Sequence, residues 1–189
     1  MNNGKATILE RKGILEISVP SKKNWFILIL GVAWQGGWYF GFINALDAFS
    51  FDQPGFEGID GFMLVWLLGW SIAGIGVVIM LFWGFFGKER IIHNQRHLDF
   101  ERTVFGLGLK KKLETKHLKN FRHEKVDEGL FGGNRWSIWG LGPGKIKFDY
   151  GMKTYSFGLG VDDAEANYLV DLLKKRFENH EERDETGIT

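Results

Sequence analysis

Two long stretches without a charged side chain dominate the pattern. They are residues 24–46 (NWFILILGVAWQGGWYFGFINAL) and 61–87, the second closing on GWSIAGIGVVIMLFWGFFG before Lys88, Glu89 and Arg90. As helices they would measure about 35 and 40 Å, enough to cross a hydrocarbon layer of about 30 Å. Both are apolar around most of their circumference, whereas a helix at a soluble surface carries a polar stripe. A chain of 189 residues has too little other surface to wrap two such helices. The pattern predicts two membrane-spanning helices joined by the acidic stretch 47–60.

Outside these runs the period changes. Residues 14–19 (ILEISV) alternate as a strand does and stop at Pro20. Strand-like segments follow at 90–93, 97–104, 108–114, 118–124, 145–149 and 153–157, separated by turn residues such as Asn94, Gly106 and Gly151. After them the period becomes helical. Asp162 with Glu165 three residues on is an N-terminal capping pair, and Ala166, Leu169, Val170, Leu173 and Phe177 form an apolar stripe. Residues 181–189 are charged and aperiodic, and are expected to be a disordered tail.

Charge then orients the chain. Lys5, Arg11, Lys12, Lys22 and Lys23 precede the first run, and Lys88, Arg90 and Arg96 follow the second. The connection carries Asp47, Asp52, Glu57 and Asp60 and no basic residue. By the positive-inside rule both termini are cytoplasmic and 47–60 lies outside a cell (inner or plasma) membrane. Trp25 and Trp83 sit near the run ends, where an interfacial aromatic belt would lie. The resulting division is a cytoplasmic segment 1–23, spans 24–46 and 61–87, an outer loop 47–60, and a cytoplasmic domain 88–180. The N-terminal residues hold no apolar stretch with a small-residue cleavage site, so no cleaved leader is expected. A net charge of +1 gives no global basic field, and nucleic acid is not an expected partner. The absence of cysteine excludes disulfides, thiol nucleophiles and Cys-ligated zinc.

Within the spans, Gly37 and Gly41 are four apart, as are Gly69 and Ala73. Small residues at that spacing let antiparallel helices approach closely, so these four are the expected helix-packing residues. Gln35 and Asn44 either bond across the hairpin or to an oligomer mate, or serve transport.

Seven strands followed by one amphipathic helix is the layout of a pleckstrin-homology barrel plugged by its last helix. With pieces such as KFDYGMKTYSFGLG before that helix, the chain resembles bacterial PH-like membrane proteins. The resemblance implies a membrane α+β fold: a two-span hairpin inserted between the first and second strands of a seven-stranded antiparallel β-barrel or sandwich, capped by a C-terminal helix. It implies no catalysis, and a domain that binds lipid or protein; its warrant is fold analogy.

If one strand enters the membrane and the next leaves it, that end of the barrel lies against the bilayer. The loop VFGLGLKKK would emerge there. Phe105, Leu107 and Leu109 precede Lys110, Lys111 and Lys112, which reads either as an apolar tip with basic neighbours for anionic headgroups or as a solvated edge guarded by lysines. Lys111 shares the face of Leu109 and Leu113, which predicts a bulge or an edge strand. In the long loop 126–144, Phe131, Trp136 and Trp139 cover the barrel mouth, dip into the interface, or bind a partner.

Other motifs carry little. GLGPGK (140–145) has Ile146 where a phosphate loop needs Ser or Thr. His93 and His97 have metal-ligand spacing only on a helix, although they could meet across a strand hairpin. No catalytic residue, cofactor or metal is expected. The expected function is a non-catalytic membrane adaptor or scaffold that binds lipid headgroups or a partner protein. A subunit or assembly factor of a larger complex, or a homo-oligomer, is the alternative. A small oligomeric channel or transporter is disfavoured by the uncharged spans.

Overall fold

The computed structural model describes residues 4–48, 59–94, 96–126, 137 and 139–186. In chain order the elements are β1 Thr7–Arg11, β2 Ile14–Pro20, α1 Trp25–Ala48, α2 Ile59–Phe86, β3 Gly87–His93, β4 His97–Val104, β5 Leu107–Glu114, β6 Leu118–His123, β7 Ile146–Tyr150, β8 Lys153–Phe157 and α3 Asp163–Thr186. The chain is α+β and forms two compact units, Met1–Asn24 with Trp83–Thr189, and Trp25–Phe82.

In the first unit, β1 to β5 make one antiparallel sheet in that order, and β6 to β8 make a second. The described residues thus hold eight strands rather than seven, and the helices leave between β2 and β3, not between the first two strands. The additional strand, β1, half-buries a single side chain, Ile8, so TILER carries almost no alternation. It is joined to β2 by Lys12 and Gly13 with φ of 48° and 78°, the paired left-handed conformation of a type I′ hairpin turn.

Ile17, Ile91, Leu98, Ile146, Phe148 and Phe157 point inward from the two sheets and are at most 1% exposed. The stripe Ala166, Leu169, Val170, Leu173 and Phe177 joins them in one core. Phe121 bridges sheet and helix, stacked on Phe148 at 5.5 Å and on Phe177 at 4.7 Å. Each such side chain contributes about 1.5–3 kcal/mol when removed from water. The Asp162 carboxylate accepts from the Glu165 amide at 2.8 Å, as the capping pair predicts. The Glu165 carboxylate turns elsewhere, accepting from the amides of Ala6 at 2.8 Å and Lys5 at 3.2 Å, and so pins the segment before β1. Helix α3 continues to Thr186, so the expected disordered tail 181–189 is helical over most of its length.

In the second unit, α1 and α2 are each long and apolar enough to cross a membrane, and little of either is buried within the chain. Among the less exposed positions, one series on each helix recurs at alternating three- and four-residue steps: Leu28, Gly31, Gln35, Trp38, Phe42 and Ala45 on α1, and Met63, Leu67, Trp70, Gly74, Val77 and Leu81 on α2. That is the spacing of a left-handed helix pair.

The seam corrects the predicted packing residues. Nothing lies within 4 Å of where a Cβ would stand on Gly37 or Gly69, Ala73 is exposed, and Gly41 alone meets the partner helix, 3.7 Å from Trp70. The close approach is at Gly74, whose added Cβ would fall 2.2 Å from the Trp38 ring, and at Gly31, 3.0 Å from Leu81. Large side chains fill notches left by glycine, so four-residue spacing alone did not locate the contact. Trp38 Nε1 donates to the Trp70 carbonyl at 3.0 Å, which satisfies the indole in apolar surroundings. Asn44 bonds its own helix, Nδ2 to the Phe40 carbonyl at 2.7 Å, and the buried Gln35 Oε1 has no partner among the described residues. The predicted outer loop lies outside the described residues over 49–58.

Candidate functional site

The strand register gathers several chain-distant residues at one end of the five-stranded sheet. Pro20 pairs with Lys88, Gly87 with Val104, and Val104 with Leu107. The end of β2, the start of β3 and the β4–β5 turn therefore share one rim. The last turn of α2 is fastened to the same rim. Ser21 Oγ donates to the Gly84 carbonyl at 3.0 Å, and the Ser21 amide donates to the Gly87 carbonyl at 2.9 Å. Trp83 Nε1 donates to the Gly140 carbonyl at 2.7 Å.

GLGPGK finds its use here as packing. Gly140, with φ of 72°, has the Lys22 carbonyl 2.8 Å from where a Cβ would stand, and Gly144 is pressed against the Phe157 backbone. Lys145 pairs with Asp163 at 2.9 Å.

A cleft of about 390 Å³ opens at this rim, lined by Lys23, Lys88, Arg90, Phe85, Phe86 and Phe105 among others. Alternation along β3 aims Lys88 and Arg90 outward and Glu89 inward. Arg90 Nε lies 3.7 Å from Glu16, a loose pair. Phe105 and Gly106 form the turn with φ of 51° and 82°. A left-handed phenylalanine costs about 1 kcal/mol against the Asn or Gly such a turn favours. The ring is 70% exposed, resting on Phe86 at 4.7 Å, and Leu107 and Leu109 beside it are 80% and 68% exposed. Leu107 and Leu109 are thus left exposed by the domain's own packing, beside a phenylalanine held in a strained backbone conformation.

Beneath the cleft, Glu89 is buried and forms an ion pair with Arg102 Nε at 2.9 Å, its partner across the β3–β4 ladder. Its other oxygen accepts from the Gly158 amide at 2.5 Å, while Arg102 donates to the Ser156 carbonyl at 3.0 Å. The pair ties the first sheet to the end of β8.

The predicted lysine patch is divided. Lys110 and Lys112 lie on one face of β5, opposite Glu101 and Asp99, and Lys110 pairs with Glu101 at 3.3 Å. Lys111 lies on the other face, its ammonium 5.1 Å from the Tyr155 ring. No register shift accompanies it: β5 is an edge strand, not a bulged one. Lys23, Lys88 and Arg90 are the basic residues at the tip itself. They were visible in the sequence as flanks of the apolar runs, but only the register brings those flanks together.

Trp139 is half-buried, and Phe131 and Trp136 lie outside the described residues. His93 sits in the core with its ring 4.4 Å from Phe177, on the face opposite His97, so the two do not meet across the hairpin. No protein-family model matches the chain, and no curated protein matches it.

Proposed function

We propose that the chain is a non-catalytic membrane adaptor of the PH-like kind. In this reading α1 and α2 span the bilayer, the two sheets and α3 form a PH-like barrel at its cytoplasmic face, and the rim cleft receives an anionic lipid headgroup. The observation that carries it is the convergence of Lys23, Lys88 and Arg90 with the exposed Phe105, Leu107 and Leu109 at the rim where both apolar helices join the sheet. Four residues separate Pro20 from Trp25 and none separates Phe86 from Gly87, so covalent reach alone keeps that rim near the helix ends. Cationic groups near an anionic surface contribute about 1 kcal/mol each, and apolar side chains gain by leaving water.

A fluorophore on Leu107→Cys, in the full chain reconstituted into vesicles, reads this directly. Headgroup nitroxides should quench it more as the anionic lipid fraction rises, and less with added salt. Lys88→Glu with Arg90→Glu should abolish the dependence on anionic lipid. Phe105→Asn should weaken quenching while changing stability by no more than about 1 kcal/mol, because it removes the ring and the backbone strain together. Quenching indifferent to lipid charge and to both variants would remove the lipid reading and leave a protein partner at the rim.

A further inference from the structure

A second groove, of about 430 Å³, lies at the other end of the same unit. Val104 pairs with Leu107 at the tip and His97 with Glu114 at the far end of that hairpin, so the turn Thr115–His117 stands roughly 23 Å of strand away from Phe105. The groove is lined by Lys116, Lys119, Arg122 and Lys153, with Asp149 as its one carboxylate and Met152 fully exposed at its edge.

Its floor is built. The β6–β7 register shifts between Lys119 and Arg122, and Asn120 adopts φ of 56°, a bulge that re-aims the flanking side chains. Asp149 accepts from Thr154 Oγ1 at 2.7 Å, Asn120 Nδ2 at 3.1 Å and Arg122 Nη1 at 3.0 Å. These contacts hold its carboxyl below the usual carboxylate range, Thr154 contributing most. Lys116 is engaged by Glu114 at 2.8 Å. Lys119 and Lys153 are exposed and make no ion pair among the described residues.

We propose that this groove docks an acidic segment of a partner protein. Arg122, the group suited to gripping a phosphate in bidentate fashion, is already engaged: Nη1 donates to Asp149 at 3.0 Å and to the Asn120 carbonyl at 3.2 Å, and Nε lies 4.0 Å from Glu124, so each two-donor edge of the guanidinium has one member taken. A carboxylate fixed mid-groove repels a compact multivalent anion seated there. What remains is a set of separated lysines around an exposed methionine, which matches carboxylates spaced along a peptide with apolar residues between them.

The test uses the full chain in nanodiscs of phosphatidylcholine, which offer no anionic lipid. The probe is a fluorescein-labelled peptide of alternating Glu and Leu, with its Gln counterpart as control. The acidic peptide should bind in a salt-dependent way and the Gln peptide should not. Lys119→Glu with Lys153→Glu should weaken binding about tenfold without changing the thermal unfolding of the protein, both side chains being exposed. The same reversal of Lys110 and Lys112 should have little effect. Equal binding of both peptides, or no change on reversal of Lys119 and Lys153, would overturn the assignment. So would displacement of the acidic peptide by anionic-lipid vesicles only when Lys119 and Lys153 are intact, which would make the groove a lipid site.

Discussion

Glu89→Ala should destabilise the β-sheet unit by about 3 kcal/mol, the lower end for removing one member of a buried pair, because Arg102 keeps 27% of its side chain exposed. The loss has two parts. Arg102 is left without its counter-charge, and the Gly158 amide loses its acceptor in a buried position. Arg102→Met added to Glu89→Ala should recover part of the loss, since no unpaired charge then remains. Chemical unfolding of the full chain in micelles, followed by circular dichroism, measures both.

The same residue gives a signed pH dependence. Burial pushes the Glu89 carboxyl above its ordinary 4.5, against the opposing pull of Arg102 and the amides of Gly158 and Leu159. The folded state then holds this proton more tightly than the unfolded chain. The resulting stabilisation is complete below about 4.5 and is lost as pH rises through the raised value. Glu89→Gln does not titrate, so the wild type's advantage over it should shrink as pH climbs through that window. Glu114, Glu124, Asp149 and Asp163 are held low by Lys116, Lys147, Thr154 and Lys145 respectively, but they are common to both proteins and cancel in the difference.

The second large effect belongs to the helix pair. Gly74→Leu should separate or distort it, because even a Cβ at this position collides with the Trp38 ring. Overpacking of this kind costs about 1–3 kcal/mol. Trp38→Ala empties the same space and removes the bond to the Trp70 carbonyl, at about 3 kcal/mol or more. Combining the two substitutions refills the notch from the other side, so the double variant should be more stable than Trp38→Ala alone. Unfolding in mixed micelles with a graded fraction of denaturing detergent ranks the three.

These two sites show where the sequence was readable and where it was not. The long helices were legible because each carries its single charge, Asp47 or Asp60, in a terminal turn and none between, and β4 and β8 fell on their predicted limits, 97–104 and 153–157, with Leu98 and Phe100, and Tyr155 and Phe157, at alternate positions. β1 escaped because it buries almost nothing. The helix seam escaped for the opposite reason: when every face is apolar, hydrophobicity cannot mark the one that packs. At the tip, the run Lys110, Lys111, Lys112 looked like a patch in one dimension, but strand alternation splits it between two faces. The Glu89–Arg102 pair needed the β3–β4 register, which no local pattern supplies.

The proposed function requires that the pair of apolar helices cross the bilayer with the sheets on the inner side. The chain has no cysteine, so single cysteines at Ser50 and Met152 can be labelled cleanly with a membrane-impermeant maleimide. The prediction is that Ser50→Cys reacts in intact cells and Met152→Cys reacts only after the membrane is opened. Labelling of both in intact cells, or of Met152→Cys alone, would contradict it.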